Sequence, residues 1–233
     1  MRFPIEQLPL AVQLRDGATF DNFYQADNSL LVDQLRCQLK EGERYIYLFG
    51  NQGSGRSHLL QAACSQANEM QLTSVYLPLE QLQQYSPQEL FEGLEQLSLV
   101  CLDDLQYIVG NADWEQQLFH LFNRLAQSGT RLLIAADSAV RELAVSLADL
   151  SSRLSWGSVY QLKMLNDEQR ILALQFRAAH RGMEMNNEVA QFIVNRSQRD
   201  TGSLLAVLDL LDNASLKEQR RLTVPFVKSV LDW

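Results

Sequence analysis

The chain has 233 residues, of which 46% are hydrophobic and 21% charged, so it is long and apolar enough for one large domain or for a medium domain with a small one. Its formal net charge of −8 disfavours broad electrostatic binding to nucleic acid or anionic membrane, because such binding depends on Lys and Arg that neutralise phosphates. No apolar run reaches the roughly 18 residues of a membrane span, and no signal peptide is apparent, so we expect a cytoplasmic protein without a membrane partner.

The cysteines and histidines give no sign of a disulfide framework or a metal centre. Cys37, Cys64 and Cys101 are far apart and odd in number, which predicts free, buried thiols in a reducing compartment. The histidines do not follow the spacing of zinc-binding motifs, so we expect structural roles for them.

The first part of the chain alternates between strand and helix patterns. Residues 1–18 contain two prolines and a glycine without regular periodicity, which predicts an extended tail. Helical patterns cover 27–40, the segment after Ser57, 87–95 and 114–127. Strands are predicted at 45–49, 73–77, 98–102, 131–135 and 159–162. Strands that alternate with helices predict an α/β fold with a parallel sheet covered on both faces.

No strand pattern follows residue 163. Helices are predicted at 167–181, 187–196 and 203–216, with a short final element at 224–231. We therefore predict a tail over 1–18, an α/β domain over 19–163 and a small all-helical domain over 164–233.

The segment GNQGSGRSHLL, residues 50–60, lies between the first predicted strand and a helix and fits G-x-x-x-x-G-K-[ST], except that Arg56 stands in the lysine position. In such a loop, glycines let successive backbone N–H groups approach phosphate oxygens at a helix N-terminus. Arg56 keeps the charge that would reach the β- and γ-phosphates, and Ser57 stands where a hydroxyl would bind Mg²⁺. The candidate nucleotide-binding residues of the loop are Gly50, Gln52, Gly53, Ser54, Gly55, Arg56, Ser57 and His58.

Two competing glycine motifs fail at this loop. A dinucleotide fingerprint that starts at Gly53 would need glycine in place of His58, and a nucleophile elbow around Ser54 would need glycine in place of Gln52 and Arg56. A glycine turn that joins strand and helix without any ligand stays open from the loop alone.

An acidic pair follows the third predicted strand. In LVCLDDLQ, residues 99–106, four apolar residues end at Asp103 and Asp104. In nucleotide hydrolysis, a carboxylate in this position holds Mg²⁺ and a second acid lies near the attacking water. An acidic pair after a strand is also ordinary turn chemistry, so its weight comes from its order and distance relative to the loop.

Arg153 lies in LADLSSRLSWGSVYQL, residues 147–162, just before a Trp-Gly turn and the last predicted strand. From this segment alone, two interpretations of Arg153 stay open: an ordinary surface arginine at a helix end, and a functional arginine.

Together these segments resemble the AAA+ ATPases and, within them, the family of the bacterial replication initiator DnaA and its homologue Hda. The similarity runs in order through TFDNFYQADNSLL (19–31), the loop, the acidic strand, LFHLFNRL (118–125), LLIAADS (132–138) and SSRLSWG (151–157). It implies an AAA+ P-loop core with a parallel sheet and a C-terminal helical lid. The arginine in the loop, the N-terminal tail and the lack of a basic helix-turn-helix segment after the lid make the Hda branch the nearer one.

The resemblance implies a negative regulator of DNA replication initiation. In the Hda branch, an ADP-bound protein associates with the DNA polymerase III β sliding clamp on DNA and promotes hydrolysis of the ATP held by DnaA. DnaA and the clamp are thus the implied partners, and DNA is reached through the clamp. By position, Arg153 is implied as an arginine finger that acts in trans, Asp103 as the Mg²⁺ ligand and Asp137 as a polar sensor residue, while Phe23 and the lid would enclose the base. ADP, another nucleoside diphosphate or ATP, with Mg²⁺, is the implied cofactor.

The tail segment QLPLAV, residues 7–12, resembles the clamp-binding peptides of bacterial replication proteins. In those peptides, apolar side chains fill a groove on the clamp while the glutamine makes polar contacts. The resemblance implies clamp-binding roles for Gln7, Leu8, Leu10 and Val12.

One position departs from the family pattern. Gly202 stands where a lid arginine usually reaches the nucleotide (sensor 2), and Arg199 is the nearest candidate substitute. Together with Arg56 and the short side chain of Asp104, this predicts a nucleotide site with weak intrinsic ATPase activity.

Two alternative functions stay open. One is an autonomous AAA+ ATPase or loader that acts on nucleic acid, and the other is a clamp adaptor with a purely structural nucleotide. The sequence leaves the base preference and self-association open.

Overall fold

The computed structural model describes residues 17–197, 201–218 and 220–233. One parallel sheet with the strand order β2-β3-β4-β1-β5 forms its centre. The strands are β1 (Tyr45–Phe49), β2 (Ser74–Pro78), β3 (Leu99–Asp103), β4 (Arg131–Ala136) and β5 (Ser158–Gln161). Each lies within one residue of its predicted bounds, and the predicted α/β fold class is confirmed.

Helices connect and follow the strands. They are α1 (Ser29–Gln38), α2 (Arg56–Glu69), α3 (Leu79–Leu82), α4 (Pro87–Leu90), α5 (Ala112–Ser128), α6 (Ala148–Leu154), α7 (Asp167–His180), α8 (Asn187–Arg196), α9 (Thr201–Glu218) and α10 (Val224–Leu231). Short 3-10 helices lie at Ala26–Asn28, Leu94–Gln96, Leu105–Tyr107 and Val140–Glu142. Within the described ranges, no helix combines the length and apolar character needed to cross a membrane.

Polar side chains fix where the longer helices begin. The Asn111 side chain accepts the N–H groups of Asp113 and Trp114 at the start of α5, and Gly129, with a φ of +80°, caps its end. Asn166 and Gln169 form a capping box at the start of α7, so this helix begins at a defined residue.

Both faces of the sheet are buried, as expected for parallel strands joined by helices. Helices α1 and α2 cover one face, where the strands contribute Ile46, Leu48, Leu99, Cys101, Leu133 and Ala135. Helix α5 covers the other face, against Tyr47, Leu77, Val100, Leu102, Leu132 and Ile134. Neighbouring residues of one strand thus serve opposite faces, because side chains alternate along a strand.

The helices after β5 have their own core, and a buried amide anchors the connection that leads to them from β5. Residues from α7, α8, α9 and α10 form a separate apolar cluster that includes Leu174, Ile193, Leu208 and Phe226. At the junction, the buried Asn28 side chain pairs with the backbone of Lys163: its Nδ2 donates to the carbonyl oxygen at 3.0 Å, and its Oδ1 accepts the N–H at 2.8 Å. The bounds of the two domains remain a prediction.

Two local expectations are corrected, and one helix was not predicted. The helix predicted over 87–95 is wrong, because α4 ends at Leu90 and Gly93, with a φ of +76°, separates it from a 3-10 helix. Helix α6 has no counterpart among the predicted elements. The prediction that every cysteine is buried is wrong for Cys37, which is exposed on α1, whereas Cys64 and Cys101 are buried.

Candidate nucleotide-binding site

Three predicted site segments meet at the carboxyl edge of the sheet. The glycine loop starts at Gly50 directly after β1, Asp103 is the last residue of β3, and Asp137 directly follows β4. Because all the strands are parallel, these ends lie on one edge, which is where open α/β sheets bind ligands.

The loop conformation requires glycine. Gly53 has a φ of +77°, and Gly55, the N-cap of α2, has a φ of +103°, in a region where L side chains are strained. A Cβ atom on Gly50 would lie 2.7 Å from the carbonyl oxygen of Leu162, so the loop passes close to the end of β5. The first N–H groups of α2 have no intrahelical acceptors and are available to an anion.

Ser54 gives an independent indication that the loop fits a phosphate group. The residue is 9% exposed, and its Oγ is buried without a hydrogen-bond partner among the described residues. A buried hydroxyl without a partner costs free energy, and a phosphate oxygen in the cradle would supply that partner.

Arg56 is engaged by protein oxygen atoms. Its guanidinium donates from Nη1 to the carbonyl oxygen of Gly50 at 2.7 Å and from Nη2 to Oδ1 of Asp104 at 3.0 Å. Arg56 is 8% exposed, and Asp104 holds a φ of +57°, which is uncommon for a residue with a side chain. The guanidinium therefore joins the start of the loop to the residue after β3, whereas the sequence predicts that it reaches toward the phosphates.

Asp103 is completely buried in a polar network. Its Oδ2 accepts the Tyr76 hydroxyl at 2.7 Å, and its Oδ1 accepts the N–H of Asp104 at 3.0 Å. The Ser57 hydroxyl lies close to the same carboxylate. Burial raises the pKa of the Asp103 carboxyl, and the Asp104 charge adds to this effect.

Ser57 and Asp103 are close enough to act together on a magnesium ion. Mg²⁺ usually takes only one or two protein ligands and completes its shell with phosphate oxygens and water. This donor set fits such an ion, although in the described part of the chain no three His, Cys, Asp or Glu side chains form a metal cluster.

Gln106 and Tyr76 are site residues that the sequence did not suggest. Gln106 donates from Nε2 to Oδ1 of Asp104 at 3.0 Å, and its Oε1 accepts the N–H of Asp137 at 3.2 Å, so it ties the acidic pair to the segment after β4. Its position two residues after Asp104 could have indicated from the sequence that Gln106 lies in the site. Tyr76 gave none, because only the pairing of β2 with β3 brings it beside Asp103.

The segment with Phe23 lies between the loop and the lid. A Cβ atom on Gly55 would lie 2.8 Å from Cε2 of Phe23, and the Phe23 and His58 rings are 5.4 Å apart. From the lid, the Arg177 guanidinium donates to the carbonyl oxygen of Asn22 at 2.7 Å. The segment that carries Phe23 thus contacts both the loop and α7. Within the described part of the chain, the exposed Asp137 carboxylate accepts only a local bond, from the Ser138 hydroxyl at 2.8 Å.

Arg153 lies at the opposite edge of the sheet. It belongs to the last turn of α6 and lines a small cavity with Tyr45, the first residue of β1. The loop starts after the last residue of β1, and a strand of this length separates the two places by roughly 13 Å. Arg153 is therefore directed away from the loop of its own chain.

Several predicted positions lie outside the described residues: Gln7, Leu8, Leu10, Val12 and Arg199. Gly202, the position of the expected lid arginine, is exposed in the first turn of α9.

Comparison with known families matches both parts of the chain. Residues 14–161 match the bacterial DnaA ATPase domain, and residues 167–231 match the lid domain of Hda. An uncharacterized protein from Haemophilus influenzae is 48% identical over 97% of this chain and 99% of its own length.

Solved structures with the same fold include replication initiators and a motor. Domain III of the Thermotoga maritima DnaA protein is similar with a TM-score of 0.78 at 22% identity, over 94% of this chain and 98% of that one. DnaA from Aquifex aeolicus bound to AMPPCP gives 0.73 at 22% identity, over 88% and 71%. The RuvB branch migration motor of Thermotoga maritima gives 0.65 at 16% identity, over 92% and 73%.

These structural similarities are evidence for a shared fold. The matches to the two family models show that the sequence is related as well. The sheet order, the glycine loop and the separate helical lid agree with them. The chain therefore belongs to the DnaA family of AAA+ ATPases and carries the lid domain of Hda.

Proposed function

We propose that this protein is a nucleotide-bound negative regulator of DNA replication initiation that promotes hydrolysis of the ATP held by DnaA. The observation that carries the proposal is the position of Arg153 at the edge of the sheet opposite the nucleotide loop. Such a position supports a role toward a second molecule rather than toward the loop of the same chain. Membership of the DnaA family and the Hda lid support this choice of partner.

The loop is proposed to hold ADP or another nucleoside diphosphate. The glycine cradle and the Ser54 hydroxyl support phosphate binding, and a similar DnaA structure carries AMPPCP. Ser57 and Asp103 would hold Mg²⁺, which neutralises phosphate charge when bound. Phe23 and α7 would close over the base. Slow hydrolysis by this chain itself is expected, because Arg56 holds the Asp104 carboxylate that would otherwise face the attacking water.

Arg153 is proposed to act on the ATP held by DnaA. During phosphoryl transfer to water, charge is spread over the oxygens of the transferred group, and a guanidinium placed there by a second protein stabilises it. The N–H groups of Arg153 would donate to those oxygens, while DnaA holds the nucleotide.

The sliding clamp is proposed as the second partner, through QLPLAV at residues 7–12. The net charge of −8 disfavours direct recruitment to DNA, whereas a clamp already loaded on DNA would bring the protein to it. Apolar side chains of such a peptide fill a groove, which makes Leu8 and Leu10 the expected anchors.

The decisive experiment follows ATP hydrolysis on DnaA in the presence of clamp-loaded DNA. Arg153→Ala should reduce the stimulated rate at least about 100-fold, since arginine fingers typically contribute 10³ or more. Clamp binding should be unchanged, and Arg141→Ala, which removes an exposed arginine elsewhere on the sheet domain, should retain full stimulation. If the Arg153→Ala variant stimulates hydrolysis as well as the unchanged protein does, Arg153 has no catalytic role, and the protein would be a clamp adaptor only. Joint replacement of Gln7 and Leu8 by Ala should instead weaken clamp binding.

A further inference from the structure

Trp156 is an exposed aromatic residue that the proposed function does not yet use. Trp156 is 60% exposed, although contact between its apolar surface and water is unfavourable. The indole nevertheless makes two defined ring contacts. The guanidinium carbon of Arg153 lies 4.7 Å from the indole centroid, and the Tyr45 ring stacks at 6.1 Å with an interplanar angle of 17°.

The backbone fixes the indole in this place. A Cβ atom on Gly157 would lie 2.1 Å from the carbonyl oxygen of Tyr45, so the turn after α6 is pressed against the start of β1 where no side chain fits. The N–H of Trp156 donates to the carbonyl oxygen of Arg153 at 3.0 Å. Tyr45 is itself packed on Phe122 of α5, with ring centroids 5.5 Å apart. The indole therefore rests on the sheet domain.

The Arg153 guanidinium lies over the indole ring while its N–H donors stay free. Among the described residues, its guanidinium has no hydrogen-bond or ion-pair partner. Stacking on an indole is a cation–π contact that leaves the N–H edges of the guanidinium available to an anion. An arginine side chain also loses rotamer freedom when it is ordered, and a fixed stacking surface reduces that freedom before the partner arrives.

We propose that Trp156 is a positioning residue that orients Arg153 toward the triphosphate bound by the partner. The inference rests on the proposed function, because it requires Arg153 to act in trans. It adds that the aromatic face of the indole, and not its apolar bulk, determines how fast the partner hydrolyses its nucleotide.

The test measures the maximal stimulated rate of ATP hydrolysis by DnaA and the concentration of this protein that gives half of it. Trp156→Ala should lower the maximal rate about two- to fivefold, the range that an exposed cation–π contact corresponds to. The half-maximal concentration should stay within about twofold, since the contact orients Arg153 rather than binding the partner. Trp156→Phe should restore most of the rate, whereas Trp156→Leu, which keeps apolar bulk without a π face, should behave like Trp156→Ala.

Each other outcome overturns the proposal in a recognisable way. Rescue by Trp156→Leu, or a raised half-maximal concentration with an unchanged maximal rate, would make Trp156 an apolar contact only. Val159→Ala, an exposed apolar residue on β5, is the matched control and should leave both quantities unchanged. If Trp156→Ala has no effect while Arg153→Ala abolishes stimulation, only this inference fails. If Arg153→Ala also has no effect, the proposed function fails with it. Thermal unfolding of each variant shows whether it is folded, and Trp156→Phe keeps the test valid if the alanine variant is not.

Discussion

Asp103 illustrates how a buried carboxylate makes the free energy of unfolding depend on pH. It is fully buried, and burial together with the Asp104 charge raises its pKa. Between the ordinary aspartate pKa, about 3.9, and the raised value, the folded protein keeps a proton that the unfolded chain has released. The contribution of Asp103 to the free energy of unfolding therefore falls as pH rises through that window, and it stays lowered above it.

Replacement of this carboxylate by a neutral amide is expected to stabilise the protein at neutral pH. Asp103→Asn removes the buried charge and keeps an acceptor oxygen, so it should raise the unfolding temperature by about 2–4 °C, as 1 kcal/mol does in a chain of this size. The gain should vanish below about pH 4, where the carboxylate is protonated in both states. Thermal unfolding across pH checks this, with Asp137→Asn at an exposed carboxylate as the control. A gain that does not depend on pH would contradict the assigned cause.

At the scale of elements, Glu115 fastens α5 to α6. The residue is 2% exposed, and its carboxylate accepts the N–H groups of Gly110 at 2.8 Å, Ser146 at 3.1 Å and Leu147 at 2.7 Å. Leu147 is the N-cap of α6, whose last turn carries Arg153. One buried carboxylate thus determines where the helix that carries Arg153 begins.

Removal of that carboxylate should destabilise the protein strongly. Glu115→Ala leaves several N–H groups without an acceptor, and we expect the free energy of unfolding to fall by about 3 kcal/mol. Glu115→Gln keeps one acceptor oxygen and should lose less. Denaturant unfolding measures both, and a loss below about 1 kcal/mol for the alanine variant would show that other groups replace the carboxylate.

How far the elements could be predicted from sequence depends on how local their causes are. The strands and α8 follow from apolar periodicity, and their predicted bounds lie close to the observed ones. The loop between β1 and α2 follows from its glycines. The pairing of Arg56 with Asp104 and the contact of Tyr76 with Asp103 could not be predicted, because strand order brings these side chains together. Helix α6 is short, and its start depends on the distant Glu115.

At the scale of the whole molecule, the segment before α1 joins the sheet domain to the lid. The Asn28 amide pairs with the Lys163 backbone, Arg177 of α7 bonds to Asn22, and Tyr24 packs on Phe176 with ring centroids 5.8 Å apart. The same segment carries Phe23 over the loop. Any ligand that contacts Phe23 would therefore affect how firmly the lid is held.

The junction can be tested at Asn28. Asn28→Ala leaves the N–H and carbonyl groups of Lys163 unpaired, and we expect the free energy of unfolding to fall by about 2 kcal/mol. Stabilisation by ADP should also become smaller, since the bound base would no longer meet a fixed lid. Asp27→Ala removes an exposed bond to Gln169 and should change stability by no more than about 0.5 kcal/mol. Equal effects of the two substitutions would exclude a special role for the buried amide.

The separation of Arg153 from the nucleotide loop gives the molecule two unlike ends. Unlike ends join head to tail, and such contacts form a ring only if the rotation between neighbours closes, and otherwise continue as a filament. If the proposed contact with DnaA is made through the Arg153 end, the loop end of this protein stays uncovered. The two ends of the resulting complex differ. A further subunit could bind to the uncovered loop end only through an arginine end of its own.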